Sequence, residues 1–129
     1  MSTIANHMSR ELLTARPDES LAEAAQHMVA RGVGAVLVMD GERLAGILTE
    51  RDILKAVAMA MTESARVGDW MTRSPETIEA SDSTDHAAAL MIHGGFRHLP
   101  VVEGGAVAGI VSIRDLMRVA LDDASPRGV

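Results

Sequence analysis

A shift of 63 residues lays Met8 to Leu54 over Met71 to Met117 without a gap, and 15 of the 47 aligned positions are identical. The identities are Met8/Met71, Arg10/Arg73, Thr14/Thr77, Ser20/Ser83, Ala24/Ala87, Ala25/Ala88, Met28/Met91, Gly32/Gly95, Val38/Val101, Gly41/Gly104, Ala45/Ala108, Gly46/Gly109, Ile47/Ile110, Arg51/Arg114 and Asp52/Asp115. Mismatches such as Leu48/Val111, Thr49/Ser112 and Asp40/Glu103 keep the residue type. One structure is therefore built twice, and a fixed repeat settles the architecture before any element is assigned. The chain has 129 residues, so each copy is too short to bury a sufficient core alone. The copies are expected to pack on each other about a pseudo-twofold axis, with the cleft between them as the natural ligand site.

Within copy one, Ser20 and Glu23 have the spacing of a capping box. Leu21, Ala24, Ala25, Met28 and Val29 then fall on one helical stripe that ends near Gly32. Ala35 to Met39, a turn at Asp40-Gly41, and Leu44 to Leu48 predict a hairpin of two short buried strands. A second helix is predicted from Thr49 through Ile53, Leu54, Val57 and Ala58. Copy two predicts a helix from Ser83 to about Ile92, strands His98 to Val102 and Val107 to Val111, and a helix from Ser112 to about Leu121. A short extended segment around Thr14, and another around Thr77, precedes each first helix.

Apolar residues make up 47% and charged residues 23%, which places the chain among folding globular sequences. Twelve Lys+Arg against 18 Asp+Glu leave a charge of −6 with no basic run, so nucleic acid is not an expected partner. No apolar stretch approaches the length of a membrane span and the first residues lack the blocks of a secretory signal, so a cytoplasmic address without membrane contact is expected. Without cysteine there is no disulfide, thiolate nucleophile or thiolate metal site.

The most informative pattern is Gly46-Ile47-Leu48-Thr49-Glu50-Arg51-Asp52, mirrored by Gly109-Ile110-Val111-Ser112-Ile113-Arg114-Asp115. In each, a buried strand runs into a helix with a hydroxyl residue at the N-cap and an aspartate in the first turn. One reading is plain capping: the hydroxyl satisfies an orphan amide and the carboxylate favours the positive helix end. The same geometry suits a nucleotide, since a helix N-terminus binds phosphate and a carboxylate accepts hydrogen bonds from a ribose diol. Arg51 and Arg114 add a phosphate counter-charge or a solvated face.

These residues carry a resemblance. Val67-Gly68-Asp69-Trp70-Met71-Thr72, Pro75, Thr77, Ala88 to Met91, Gly95-Phe96-Arg97-His98-Leu99-Pro100-Val101-Val102 and Gly109 through Asp115 resemble a cystathionine-β-synthase-type (CBS) repeat. Met8, Thr14, Ala25 to Met28, Gly32, Val38 and Gly46 through Asp52 supply the other copy. The resemblance implies an α+β fold of tandem repeats, each β-α-β-β-α, forming one Bateman module over residues 1–129, with repeats at 4–60 and 67–122 and a flexible tail at 123–129. It implies binding of AMP, ADP, ATP, NAD or S-adenosylmethionine as a regulatory ligand, no required cofactor, a homodimer, and an effector protein of unknown identity. It gives Asp52 and Asp115 the ribose, and Thr49 and Ser112 the phosphate. The resemblance also implies that each site is built from both copies, so that the entry segment at Thr14 serves Asp115 and the one at Thr77 and Ile78 serves Asp52.

Copy one has Leu12 where copy two has Pro75, and Gly34-Ala35-Val36-Leu37 where copy two has Arg97-His98-Leu99-Pro100. Copy two is therefore expected to hold the stronger phosphate site, with Arg97 and His98 as contacts and Pro100 as a stiff wall. His86 and His93 share a helix face without a third ligand, which argues against a metal. Trp70 is expected to cover the core, and the methionines to fill it. No nucleophile elbow, P-loop or dinucleotide fingerprint occurs, so a regulatory module is expected rather than an enzyme. The alternatives are a ligand-independent dimerisation module and, more remotely, a small hydrolase.

Overall fold

A computed structural model describes residues 2–60 and 63–124. It divides into two compact units, one comprising Leu12–Pro75 and the other Met1–Glu11 with Glu76–Val129. The fold is mixed α+β.

In the Leu12–Pro75 unit, β1 (Thr14–Ala15) leads into α1 (Leu21–Arg31), then β2 (Ala35–Asp40), β3 (Arg43–Thr49) and α2 (Glu50–Ala58). A single turn of helix, α3 (Val67–Trp70), and a short strand, β4 (Thr72–Arg73), complete it. The sheet order is β1-β2-β3-β4, with β1 parallel to β2 and the other pairs antiparallel. Ser20 caps α1 by accepting a hydrogen bond from the Glu23 amide at 3.1 Å, and Gly32 ends it in the left-handed region at φ 66°. Leu21, Ala24, Met28, Val36, Val38, Leu48, Ala56 and Val67 form its core, with Ile53, Trp70 and Met71 packed against them. Trp70 thus covers the core, as its sequence context suggested.

The second unit repeats this plan with β5 (Ile78–Glu79), α4 (Thr84–Gly94), β6 (His98–Glu103), β7 (Ala106–Ser112) and α5 (Ile113–Ala124). Its sheet order is β5-β6-β7. Ile4, Ile78, Ala87, Met91, Leu99, Val101, Val111 and Leu116 form its core. The helix α5 extends through Ala124, past the expected start of the tail, while residues 125–129 lie outside those described. Met61 also lies outside the described residues.

The units are cut differently from the sequence copies. The Leu12–Pro75 unit is closed by residues that open copy two: Leu21 N donates to Ala65 O, Val67 N to Glu19 O and Gly68 N to Pro17 O. The other unit is closed by the equivalent residues at the start of the chain. There Thr84 N donates to Ser2 O, Ile4 N to Asp82 O and Ala5 N to Ala80 O. The buried anchors Ile4 and Val67 are 63 positions apart. Gly46 and Gly109 explain themselves here. A Cβ at Gly46 would stand 2.6 Å from Thr72 O, and one at Gly109 would stand 2.5 Å from Ser9 O, so the incoming segment runs where a side chain would be.

One mismatch in the repeat alters the ladder. Leu37 N donates to Leu13 O at 3.1 Å, and β1 pairs Thr14 with Leu37. At the equivalent place Pro100 has no N–H, so β5 starts one residue later, with Ile78 opposite Val101.

Candidate functional site

Each unit carries one strand-to-helix corner of the same build. In the first, β3 ends at Thr49 and α2 starts at Glu50. Asp52 Oδ2 accepts from Thr49 N at 2.9 Å and from Thr49 Oγ1 at 3.2 Å. In the second, Asp115 Oδ2 accepts from Ser112 N at 2.8 Å and from Ser112 Oγ at 3.0 Å, while Asp115 N donates to Ser112 Oγ at 3.2 Å. The aspartate is therefore a helix cap in both copies. Capping uses one carboxylate oxygen and leaves the other.

The remaining oxygens differ. Asp52 is only 9% exposed, yet among the described residues its Oδ1 has no hydrogen-bond partner and is not a fully buried polar atom. Asp115 Oδ1 faces Arg118 Nη1 at 3.4 Å. A carboxylate whose Oδ2 already receives two hydrogen bonds has mainly one oxygen to offer a diol, so a symmetrical bidentate grip by both oxygens does not fit this cap.

The hydroxyls are similarly committed. The single hydroxyl proton of Thr49 or Ser112 is donated to its aspartate, so either group can hold a phosphate oxygen only after that proton turns away. The first amide of each helix is also engaged, Glu50 N with Gly34 O at 3.2 Å and Ile113 N with Arg97 O at 2.8 Å. That takes one of the donors through which a helix start binds anions.

The other expected residues separate into two groups. Thr14, Thr77, Arg51, Arg97 and Arg114 are exposed. Among the described residues, the guanidinium groups of Arg51, Arg97 and Arg114 make no ion pair. His98 is half-buried and sits opposite Ser112 in the β6–β7 register, which brings it to the Asp115 corner. Ala35 holds the matching place opposite Thr49. Ile78 and Pro100, by contrast, belong to the packed interior: Ile78 is 2% exposed in the core, and Pro100 is among the fully buried side chains. Pro100 stiffens a central strand instead of presenting a wall. Thr14 shares its unit with Asp52, and Thr77 shares its unit with Asp115.

Two residues at the corners escaped the sequence reading. Arg118 and its counterpart Lys55 stand three positions after the aspartates, where an i,i+3 acid–base pair is the available signal. His86 and His93 are exposed, and among the described residues no group of three metal-ligating side chains is assembled. No helix of the described residues is long and apolar enough to cross a membrane.

The family described as CBS domain matches the chain twice, over residues 2–59 and 67–122. An uncharacterized 17.7 kDa protein of Acidianus ambivalens is 39% identical over 109 residues, covering 83% of this chain. The chain spans 66% of that relative's length. Among solved structures, CBSX2 of Arabidopsis thaliana in complex with AMP superposes with a TM-score of 0.82 at 28% identity, covering 95% of this chain and 98% of that one. The CBS domain pair of protein MJ0100, in complex with 5′-methylthioadenosine and S-adenosylmethionine, superposes with a TM-score of 0.88 at 27% identity, with the same two coverages of 95% and 98%.

Proposed function

The chain belongs to the CBS-domain family, and from that premise we propose that it is a regulatory module binding an adenosine-containing ligand through its two capped aspartates. Asp52 with Thr49, and Asp115 with Ser112, receive the ribose and the group attached to it. Arg51, Arg97 and Arg114 supply charge for a phosphate, His98 offers a ring nitrogen beside it, and Thr14 and Thr77 flank the sites. Ligand state passes by conformational change to an effector protein. AMP, ADP, ATP, NAD and S-adenosylmethionine all share the diol that this chemistry requires. The observation that carries this reading is the Oδ1 of Asp52, the oxygen of a largely buried aspartate that the cap does not use and that has no hydrogen-bond partner among the described residues. Its support from relatives is the adenosine chemistry of the ligands bound by CBSX2 and by MJ0100.

Thermal unfolding against this panel tests the proposal. A ligand held at 100 times its dissociation constant adds about 2.7 kcal/mol to the stability of a binding protein. A raised melting temperature with at least one adenosine compound is expected, and unchanged curves with all of them contradict it.

A ligand-independent interaction module is favoured by a different observation. Exposed apolar side chains recur at equivalent places in the two copies: Val29 and Ile92 on α1 and α4, and Leu54 and Met117 on α2 and α5. Each is more than half exposed. A second copy of the chain covers them in the homodimer that we propose under either reading.

A further inference from the structure

The two corners share their cap and differ just beyond it. The residue one helical turn after the aspartate is Lys55 in copy one and Arg118 in copy two. Arg118 Nη1 lies 3.4 Å from Asp115 Oδ1, the oxygen that capping leaves over, whereas among the described residues Lys55 makes no ion pair and Asp52 Oδ1 is open. Resting on the reading that this oxygen accepts the ligand's diol, we propose that Arg118 is a specificity-determining residue that competes with the diol for Asp115, making the Asp52 corner the stronger ribose acceptor.

The chemistry supports competition instead of blockade. The Arg118 side chain is 66% exposed while that of Asp115 is 18% exposed. The guanidinium therefore comes in from solvent onto a fixed carboxylate. A diol hydroxyl needs the same lone pairs on Oδ1, because Oδ2 already receives the Ser112 amide and hydroxyl. A planar guanidinium matches a carboxylate oxygen more closely than an ammonium on a flexible stem, which is why exchanging the two basic residues changes the competition. The order of the sites is then the reverse of the one that Arg97, His98 and Pro100 suggest from sequence. Copy two holds the extra positive charge, and copy one holds the open acceptor.

The test isolates each corner in the full chain. Asp52→Ala leaves only the Asp115 corner, and Asp115→Ala leaves only the Asp52 corner. Asp52→Asn and Asp115→Asn serve if an alanine variant melts early, because the amide oxygen still accepts the capping hydrogen bond. Calorimetric titration with AMP should show Arg118→Lys tightening the Asp115 corner about two- to fivefold, the range of an exposed ion pair. Lys55→Arg should weaken the Asp52 corner by a similar factor. With 2′,3′-dideoxyadenosine 5′-monophosphate, which lacks both hydroxyls of the diol, both exchanges should have no effect. Unchanged or weaker AMP binding on Arg118→Lys, or an equal gain with the dideoxy compound, overturns the competition and leaves the ligand reading standing. Failure of the unsubstituted protein to take up AMP or S-adenosylmethionine overturns both.

Discussion

Ser9 and Ile110 exchange both of their backbone hydrogen bonds, Ser9 N to Ile110 O at 2.9 Å and Ile110 N to Ser9 O at 3.0 Å. Ile110 lies on the strand that leads to Ser112 and Asp115, so the start of the chain is stitched to the strand that carries one candidate site. Thr72 stands in the same relation to Ile47, on the strand that leads to Thr49 and Asp52. Each corner is thus held by a segment that the sequence assigns to the other copy.

Gly109→Ala is expected to loosen that stitch. Its Cβ would stand 2.5 Å from Ser9 O and 3.0 Å from Met8 Sδ, closer than backbone oxygen tolerates. The cost should be about 1–3 kcal/mol, the usual range for overpacking a close contact. Denaturant unfolding measures it, and hydrogen exchange at Ser9 and Ile110 should quicken with it. An alanine variant as stable as the parent, with both amides still protected, contradicts the close approach.

Leu37→Pro transplants the copy-two residue into copy one. It removes the 3.1 Å bond from Leu37 N to Leu13 O and leaves that carbonyl without its donor. A loss of about 1–3 kcal/mol is expected, as for a polar group deprived of its partner, with the unit still folded, because its counterpart accommodates Pro100 in the same strand. Chemical denaturation with far-UV circular dichroism checks both parts. A loss of the folded state shows that copy one depends on that bond more than the repeat implies.

The elements that were legible in the sequence share a physical feature: their signals are local. Ser20 and Gly32 bound α1, Gly41 turns the first hairpin, and the 63-residue identities carry each assignment into copy two. The route of residues 2–11 was not legible, because backbone pairing of Ser9 with Ile110 spans a hundred residues and leaves no periodic trace. Its one trace is the pair Gly46 and Gly109, which reads equally as part of a ligand motif. At the corners, the sequence offers capping and binding as alternatives, whereas the geometry lets Asp52 cap with one oxygen and offer the other. Pro100 falls within the expected strand from His98 to Val102, but its inward direction was not legible: its side chain is buried in the central strand, where the neighbouring short strand asks for no donor.

The exposed apolar pairs predict self-association. Light scattering of the unsubstituted chain should return twice the 13.7 kDa protomer mass. Charging one member of each pair, as in Val29→Asp with Leu54→Asp, should return the protomer mass without lowering the helical signal. A protomer mass for the parent at all concentrations contradicts the proposed dimer.

The most direct measurement is titration of AMP and S-adenosylmethionine into the parent, Asp52→Ala and Asp115→Ala, each beside its melting temperature. Loss of a cap alone costs about 1 kcal/mol of stability and leaves affinity untouched. Loss of a ligand-holding carboxylate also weakens binding at its own corner, by roughly 1.5–3 kcal/mol for a hydrogen bond to a charged group. Both variants should therefore melt earlier, and each should lose one binding event. Parent-like affinity and stoichiometry in both variants, with only the melting temperature lowered, would make these aspartates helix caps and nothing more.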